Sequence, residues 1–328
     1  MRSTGACLAV VAVAYAALWI LVPRATFLPV LISLIDGLIH FAPPYAAVIL
    51  TIAGMILMAA PTVAFMAVQI AMVYCFSRLR LNWRGATALL VGSLAAASLF
   101  GLLIVKQSGI CAKIGRSPTL RETLYIVGAY SSILRVPMQL AIMSAACSLG
   151  YAVSLLVRDR NLLVPVVMFA AYIDFWTVTQ GPVSTMLKKA PEVAMAVAAP
   201  IPAAGTKVFA PQVLIGPGDF LFMALVFAAA HRLELDGSRN FWYVFIGMTV
   251  GMLAVLFGFL PALPALIVLA VCVLAANWKH FKLSRQEIIS TAVVGLVLLA
   301  SLPLVWSVIR PTHAHKPPSQ RAPSSTPR

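Results

Sequence analysis

Apolar runs follow one another along almost the whole chain, separated by short polar breaks. They fall at 6–22, 27–41, 45–77, 86–105, 123–157, 161–180, 212–231, 241–259, 262–277 and 288–309. Apolar stretches of this length, recurring along the whole chain, predict a multi-pass helical membrane protein. Two runs are too long for a single span. Residues 45–77 carry Pro61, and 123–157 carry Arg135 and Pro137, so each is one long kinked helix or two shorter ones. The expected architecture is an all-α bundle of about nine to twelve transmembrane segments.

The breaks divide the chain into an N-terminal set of helices (1–160), a core (161–277) and one further helix (278–309). A tail (310–328) rich in proline, serine and bases completes the chain, and its composition predicts disorder. The first run, with Trp19 and Pro23 at its end and no small-residue cleavage pattern, is expected to be a retained helix rather than a signal peptide. The core holds the longest break of the C-terminal half, 181–211. It contains Lys188, Lys189, Glu192 and Lys207, and an apolar patch, 193–204, too short and proline-broken to span. That patch predicts a re-entrant or interfacial segment.

Composition agrees and removes several functions. The 328 residues are 62% hydrophobic and 10% charged, against about 25% charged in a soluble domain. The net charge of +15 reflects few acids as much as many bases, and the bases gather at the ends of apolar runs, where headgroups lie. No long basic stretch carries exposed aromatics, so no nucleic-acid partner is expected. There is no HExxH for a zinc protease, and no GxSxG paired with an intramembrane histidine. Neither a metal nor a cofactor is expected. Cys7, Cys75, Cys111, Cys147 and Cys272 include no CxxC pair and read as small buried hydrophobes.

Against this background the acids carry the chemistry. There are nine, and only Asp36, Asp174 and Asp219 sit inside apolar runs. An aspartate in hydrocarbon is costly enough to mark a functional site by default. Asp36 lies one helical turn from His40, which predicts a polar pair inside the bundle. Asp174 is near the end of one run and Asp219 near the start of the next. Taking that next helix from Pro211, the helical rise puts them roughly 9 Å and 12 Å from the same membrane face. Antiparallel neighbours joined by one loop can bring two such carboxyls together. Two adjacent carboxyls share a proton, so one can activate water while the other protonates the amide under attack.

The residues around Asp219 suit that use. Gly216 and Gly218 leave room for a substrate backbone. Pro211 and Pro217 discourage regular helix, so Val213–Ile215 can be extended, with Leu214 on a strand edge that an unwound substrate can join. A third element, Gly258-Phe259-Leu260 followed by Pro261-Ala262-Leu263-Pro264, has no polar side chain and is expected to turn beside the aspartates.

These residues resemble the GxGD intramembrane aspartyl proteases, the presenilins and signal-peptide peptidases. The resemblance rests on Tyr172-Ile173-Asp174, Gly216-Pro217-Gly218-Asp219 and Pro261-Ala262-Leu263, in that order and each near a helix end. Phe220 and Pro264 bring it closer to presenilins, as do Gly181-Pro182 and Met186-Leu187. It covers 161–277. Ile173 separates the aromatic from the first aspartate, Pro217 stands where leucine is usual, and 288–309 extends beyond the last helix of the family.

The resemblance implies a presenilin-like fold and an aspartic endopeptidase acting on transmembrane helices of other proteins in the cell membrane. Asp174 and Asp219 would be its catalytic pair, Gly216, Gly218 and Leu214 would shape the cleft, and Pro261, Ala262 and Leu263 would line it. It also implies that 181–211 faces the cytoplasm, a point on which the even division of bases between the two sides is silent. Three other readings stand beside it. The aspartates can pair with other polar groups and lock the bundle, serve as a relay in a proton-coupled transporter, or belong to a presenilin-like protein without activity.

Overall fold

The structure, a computed structural model, describes residues 2–25, 27–110, 118–130, 132–179, 191–202, 211–259, 264–281 and 284–289, with short helical stretches at 292–293, 295–297 and 300. The elements in chain order are α1 (Arg2–Leu21), α2 (Phe27–Ile39), α3 (Pro44–Ser77), α4 (Trp83–Gln107), α5 (Leu120–Ala129), α6 (Arg135–Ser154) and α7 (Leu163–Thr179). They continue with α8 (Pro191–Val197), β1 (Ala199–Pro202), β2 (Pro211–Ile215), α9 (Pro217–Arg232), α10 (Gly237–Leu256) and α11 (Ala265–Asn277), then a 3-10 turn, Trp278–His280.

Five helices among the described residues are long and apolar enough to cross a membrane: α3, α4, α6, α10 and, over Thr4–Leu21, α1. The apolar α2, α7 and α11 are shorter. Large hydrophobic side chains such as Val10, Ile49, Val91, Leu102 and Val250 stand exposed on the outside of these helices. In water such a surface would aggregate, whereas in lipid it is the matched face. The chain is an integral, multi-pass membrane protein built as a helix bundle.

The two over-long runs resolve differently. Residues 44–77 form one continuous helix through Pro61. The 123–157 run divides, because α5 ends at Ala129 and α6 starts at Arg135 after two turn residues. Arg135 and Pro137 then occupy the first turn of α6, where a proline lacks nothing that the helix needs.

The middle of the bundle is α6, packed against α4 on one side and α9 on the other. Gly150 makes the second contact possible. A Cβ there would run into the carbonyl of Leu221, so the α6 and α9 backbones touch. Helix α9 is wholly buried over Leu225–Ala230, a stretch that ends in three alanines. Helix α3 also lies against α9 and α10, while α11 bridges α7 and α10. Asn240 of α10 and Asn277 of α11 exchange amide hydrogen bonds of 3.1 and 2.6 Å in the buried interior, a polar lock between these two helices.

Two expectations from the sequence are corrected. Asp36 and His40 are not a pair inside the bundle. Both are exposed, and α2, which packs on α3, buries none of its residues. Cys7 and Cys75 are not separate hydrophobes. A disulfide joins them, linking α1 to α3, and Cys7 is exposed. Cys147 and Cys272 are buried free thiols, as their apolar surroundings suggest. Cys111 and the tail 310–328 lie outside the described residues.

Candidate active site

The chain enters the site as a strand over Pro211–Ile215, extended as the flanking prolines predict, and the helix begins later than the apolar run from 212 suggests. β2 runs antiparallel to β1, pairing Ala199 with Ile215, Pro200 with Leu214, Ile201 with Val213 and Pro202 with Pro211. Pro200 has no N–H, so the 200–214 pair cannot exchange the two bonds of a hydrogen-bonded antiparallel pair. The exchanging pairs are therefore Ala199–Ile215 and Ile201–Val213. It follows that the N–H and C=O of Leu214 point to the far edge of β2. No described strand pairs with that edge, because the sheet has two strands.

Gly216 ends the strand in extended conformation, and α9 begins at Pro217. This explains how proline is accommodated within the glycine motif. Residue 217 is the first of the helix, where an N–H would have no partner and the fixed φ is already helical. Asp219 follows in the first turn. Its Oδ2 accepts the N–H of Gly216 at 3.2 Å while its own N–H donates to the Gly216 carbonyl at 3.1 Å. The pair closes the helix start as a capping box does, and the carboxylate sits at the positive end of the helix dipole. A Cβ at Gly218 would meet nothing within 4 Å, and the residue is exposed, so the space beside Asp219 is open.

Asp174 projects from α7. Its Oδ2 accepts the N–H of Leu266 at 2.9 Å, and its backbone carbonyl accepts the Thr177 hydroxyl at 3.1 Å. Leu266 is the second residue of α11, so Asp174 caps a helix to which it does not belong. That contact brings the end of the Pro261–Pro264 segment to the aspartate. Pro261, Ala262 and Leu263 themselves lie outside the described residues, as does most of 181–211. Before that gap Gly258 turns the chain out of α10 with φ of +76°, a left-handed position that favours glycine.

The two aspartates lie on helices in contact, α7 and α9, and both side chains are half-buried. Along the helices, Asp174 lies roughly 17 Å from the start of α7 at Leu163 and Asp219 roughly 20 Å from the end of α9 at Arg232. The two lengths are similar, and the chain before Asp219 is strand rather than helix. Val167 and Ala170 of α7, Phe222 and Val226 of α9, and Leu266 and Leu269 of α11 line a small apolar cavity one turn deeper. Among the described residues no three His, Cys, Asp or Glu side chains gather as a metal-binding set.

Two features of the site are not evident from motif spacing. One is the use of Asp174 as a cap for α11, a backbone contact that no side-chain pattern encodes. The other is the attachment of β1 to α6. Its only trace in the sequence is a cation, Arg135, inside an apolar run.

No family model matches the chain, and neither a curated protein nor a solved structure matches it.

Proposed function

We propose that this protein is an intramembrane aspartyl protease resembling presenilin, which cleaves transmembrane helices of other membrane proteins. What supports the reading is that Asp174 and Asp219 lie on helices in contact, α7 and α9, each near the end that adjoins the 181–211 segment. An open strand edge at Leu214 lies a few residues from Asp219. The presenilin-like arrangement of the remaining helices, and a cytoplasmic 181–211 segment, belong to the same proposal.

The chemistry needs one proton on the pair. The ionised carboxylate takes a proton from water, whose oxygen attacks the peptide carbonyl carbon. The protonated carboxyl gives its proton to the carbonyl oxygen, forming a gem-diol. In the collapse one gem-diol hydroxyl gives its proton to the ionised carboxylate, the C–N bond breaks, and the leaving nitrogen takes the proton of the other carboxyl, so the pair again holds one proton. A substrate must be unwound first, because helical peptide bonds are shielded by their own hydrogen bonds. Strand addition along 213–215 supplies backbone bonds in exchange. Gly216 and Gly218 leave room for that strand, and Pro261, Ala262 and Leu263 would close the other side of the cleft.

One observation favours a second reading, a presenilin-like protein without activity. Each carboxylate already accepts a backbone N–H at a helix start, which is a sufficient structural role. A panel of transmembrane peptides incubated with the wild type and with Asp219→Asn separates the two. Asparagine keeps an acceptor for the Gly216 N–H but cannot do acid–base work. Cleavage by the wild type alone supports the protease, and equal behaviour of the two proteins refutes it.

A further inference from the structure

Helix α6 carries two fully buried polar side chains one turn apart, Arg135 and Gln139. A buried cation among membrane helices is costly and calls for a use. The acid–base chemistry of Asp174 and Asp219 gives it none. Both side chains reach the same short piece of backbone. Arg135 Nη2 donates to the Met195 carbonyl at 3.0 Å, and Gln139 Nε2 donates to the Ala198 carbonyl at 3.0 Å.

Those carbonyls bracket the corner at which α8 becomes β1. The last carbonyls of a helix lack intrahelical partners and carry partial negative charge, so a guanidinium and an amide donor suit them. A helix as short as α8 is unstable alone, and so is a two-stranded sheet. Apolar packing adds to the attachment, since Ala196 of α8 is buried with Ile104 and Val105 of α4, Val127 of α5 and Met138 of α6.

The consequence runs forward along the chain. Ala199, the residue after the Gln139 contact, pairs with Ile215. The next residue, Gly216, holds the Asp219 carboxylate. One backbone pair and one hydrogen bond thus separate the α6 donors from the proposed catalytic acid. We propose that Arg135 and Gln139 are positioning residues. They clamp the α8–β1 corner to α6 and so fix both the open edge at Leu214 and the Asp219 carboxyl. Their link to catalysis rests on the protease reading, whereas the clamp itself does not.

The test uses the full chain in lipid nanodiscs, with Arg135→Met, Gln139→Leu and Arg135→Lys, the last keeping one cationic donor. Backbone hydrogen exchange is measured first. Arg135→Met and Gln139→Leu should each speed exchange at 194–202 and 211–216 by about tenfold or more, the factor expected for a lost buried hydrogen bond. Exchange in α10 and α11 should not change, and Arg135→Lys should fall between. Unchanged exchange at the hairpin, or an equal rise throughout the bundle, overturns the clamp. If Arg135→Met does not fold, the other two variants carry the same comparison.

Cleavage of a transmembrane peptide is the second readout. The two clamp-breaking variants should raise KM as well as lower kcat and should displace the pH–rate profile, with part of each effect recovered by Arg135→Lys. A rate loss with KM and pH profile unchanged means only less folded enzyme, and overturns the positioning role. A wild type that cleaves no peptide refutes the protease reading, while the exchange measurement still decides the clamp.

Discussion

The Asp174 carboxylate holds the N–H of Leu266 at 2.9 Å across 92 residues of chain, so one side chain both belongs to the proposed acid pair and starts helix α11. Replacing an aspartate here therefore does more than relieve repulsion between like charges. Asp174→Asn and Asp219→Asn should each abolish peptide cleavage while leaving the bundle folded, because an amide oxygen still accepts the backbone N–H. Asp174→Ala and Asp219→Ala should be equally inactive and also less stable, by about 1 kcal/mol for a lost helix cap. Cleavage assays with thermal unfolding in detergent check both halves. Substantial turnover by any of the four variants would sink the mechanism.

A pair that shares one proton works only between its two ionisation steps. The rate should therefore rise and then fall with increasing pH, with both inflections belonging to the pair. Hydroxyl-bearing mimics of the gem-diol should inhibit competitively, because they resemble the state that the pair stabilises. Chelators should have no effect. Inhibition by a chelator, reversed on adding zinc, would point to other chemistry.

Pro217 and Leu214 separate the helix start from the strand edge. Pro217 is the first residue of α9, so Pro217→Leu should preserve fold and activity. Leu214→Pro should leave the β1–β2 pairing intact, since the Leu214 N–H points away from β1, yet remove the donor offered to a substrate. It should therefore bind wild-type inhibitors of the acid pair but cleave no helix. Turnover by Leu214→Pro at the wild-type rate would remove strand addition from the mechanism and leave the acid pair untouched.

The contact of Gly150 with Leu221 gives a packing test close to the site. A methyl group there meets the Leu221 carbonyl and the Ala224 side chain, so Gly150→Ala must push α6 and α9 apart. Overpacking of this kind costs about 1–3 kcal/mol. Gly37→Ala is the control. A Cβ at that position meets nothing within 4 Å, and alanine is the better helix former. Comparison of unfolding temperatures should show Gly150→Ala lowered and Gly37→Ala unchanged or raised.

At the polar end away from the aspartates, Glu287 accepts the Ser284 N–H at 2.6 Å and the Asn161 amide at 3.2 Å. These bonds, the Ser284 N–H first, hold its carboxyl below the ordinary glutamate range. A depressed value means that the contribution is present at neutral pH and is lost as acid protonates the folded form. Exchange at 284–289 should therefore quicken only below the ordinary glutamate pKa of about 4.3. Glu287→Gln should show the quickened rate already at neutral pH. No difference between the two proteins at neutral pH would contradict this role.

Hydropathy made most of the helices legible, because a lipid-facing helix must be apolar along its full length whatever it packs against. The break between Ala129 and Arg135 was marked by the charge and the proline, while Pro61 sits inside α3 without breaking it. Proline alone does not tell a kink from an end. The strand at 211–215 was legible as a weakness for helix, but its partner, β1, depends on a long-range pairing that no local pattern announces. Asp174 and Asp219 stood out because so few acids lie in apolar runs. Their capping bonds did not, since the partners are backbone groups carried by every sequence. Asp36 and His40 show the opposite error. Their spacing fits a pair, but only packing decides which face of a helix is buried, and α2 buries none.

Helix α3 is 34 residues long, which at the helical rise is roughly 50 Å against a hydrocarbon layer of about 30 Å. It is apolar over nearly all of that length, so its excess cannot simply stand in water. It must lean, or the bilayer must thicken around it. Because α9 and α10 pack on α3, the lean is passed to the helix that starts beside Asp219. Acyl-chain length thus becomes a physical input to this molecule, and membranes of different thickness will hold the same chain at different tilts.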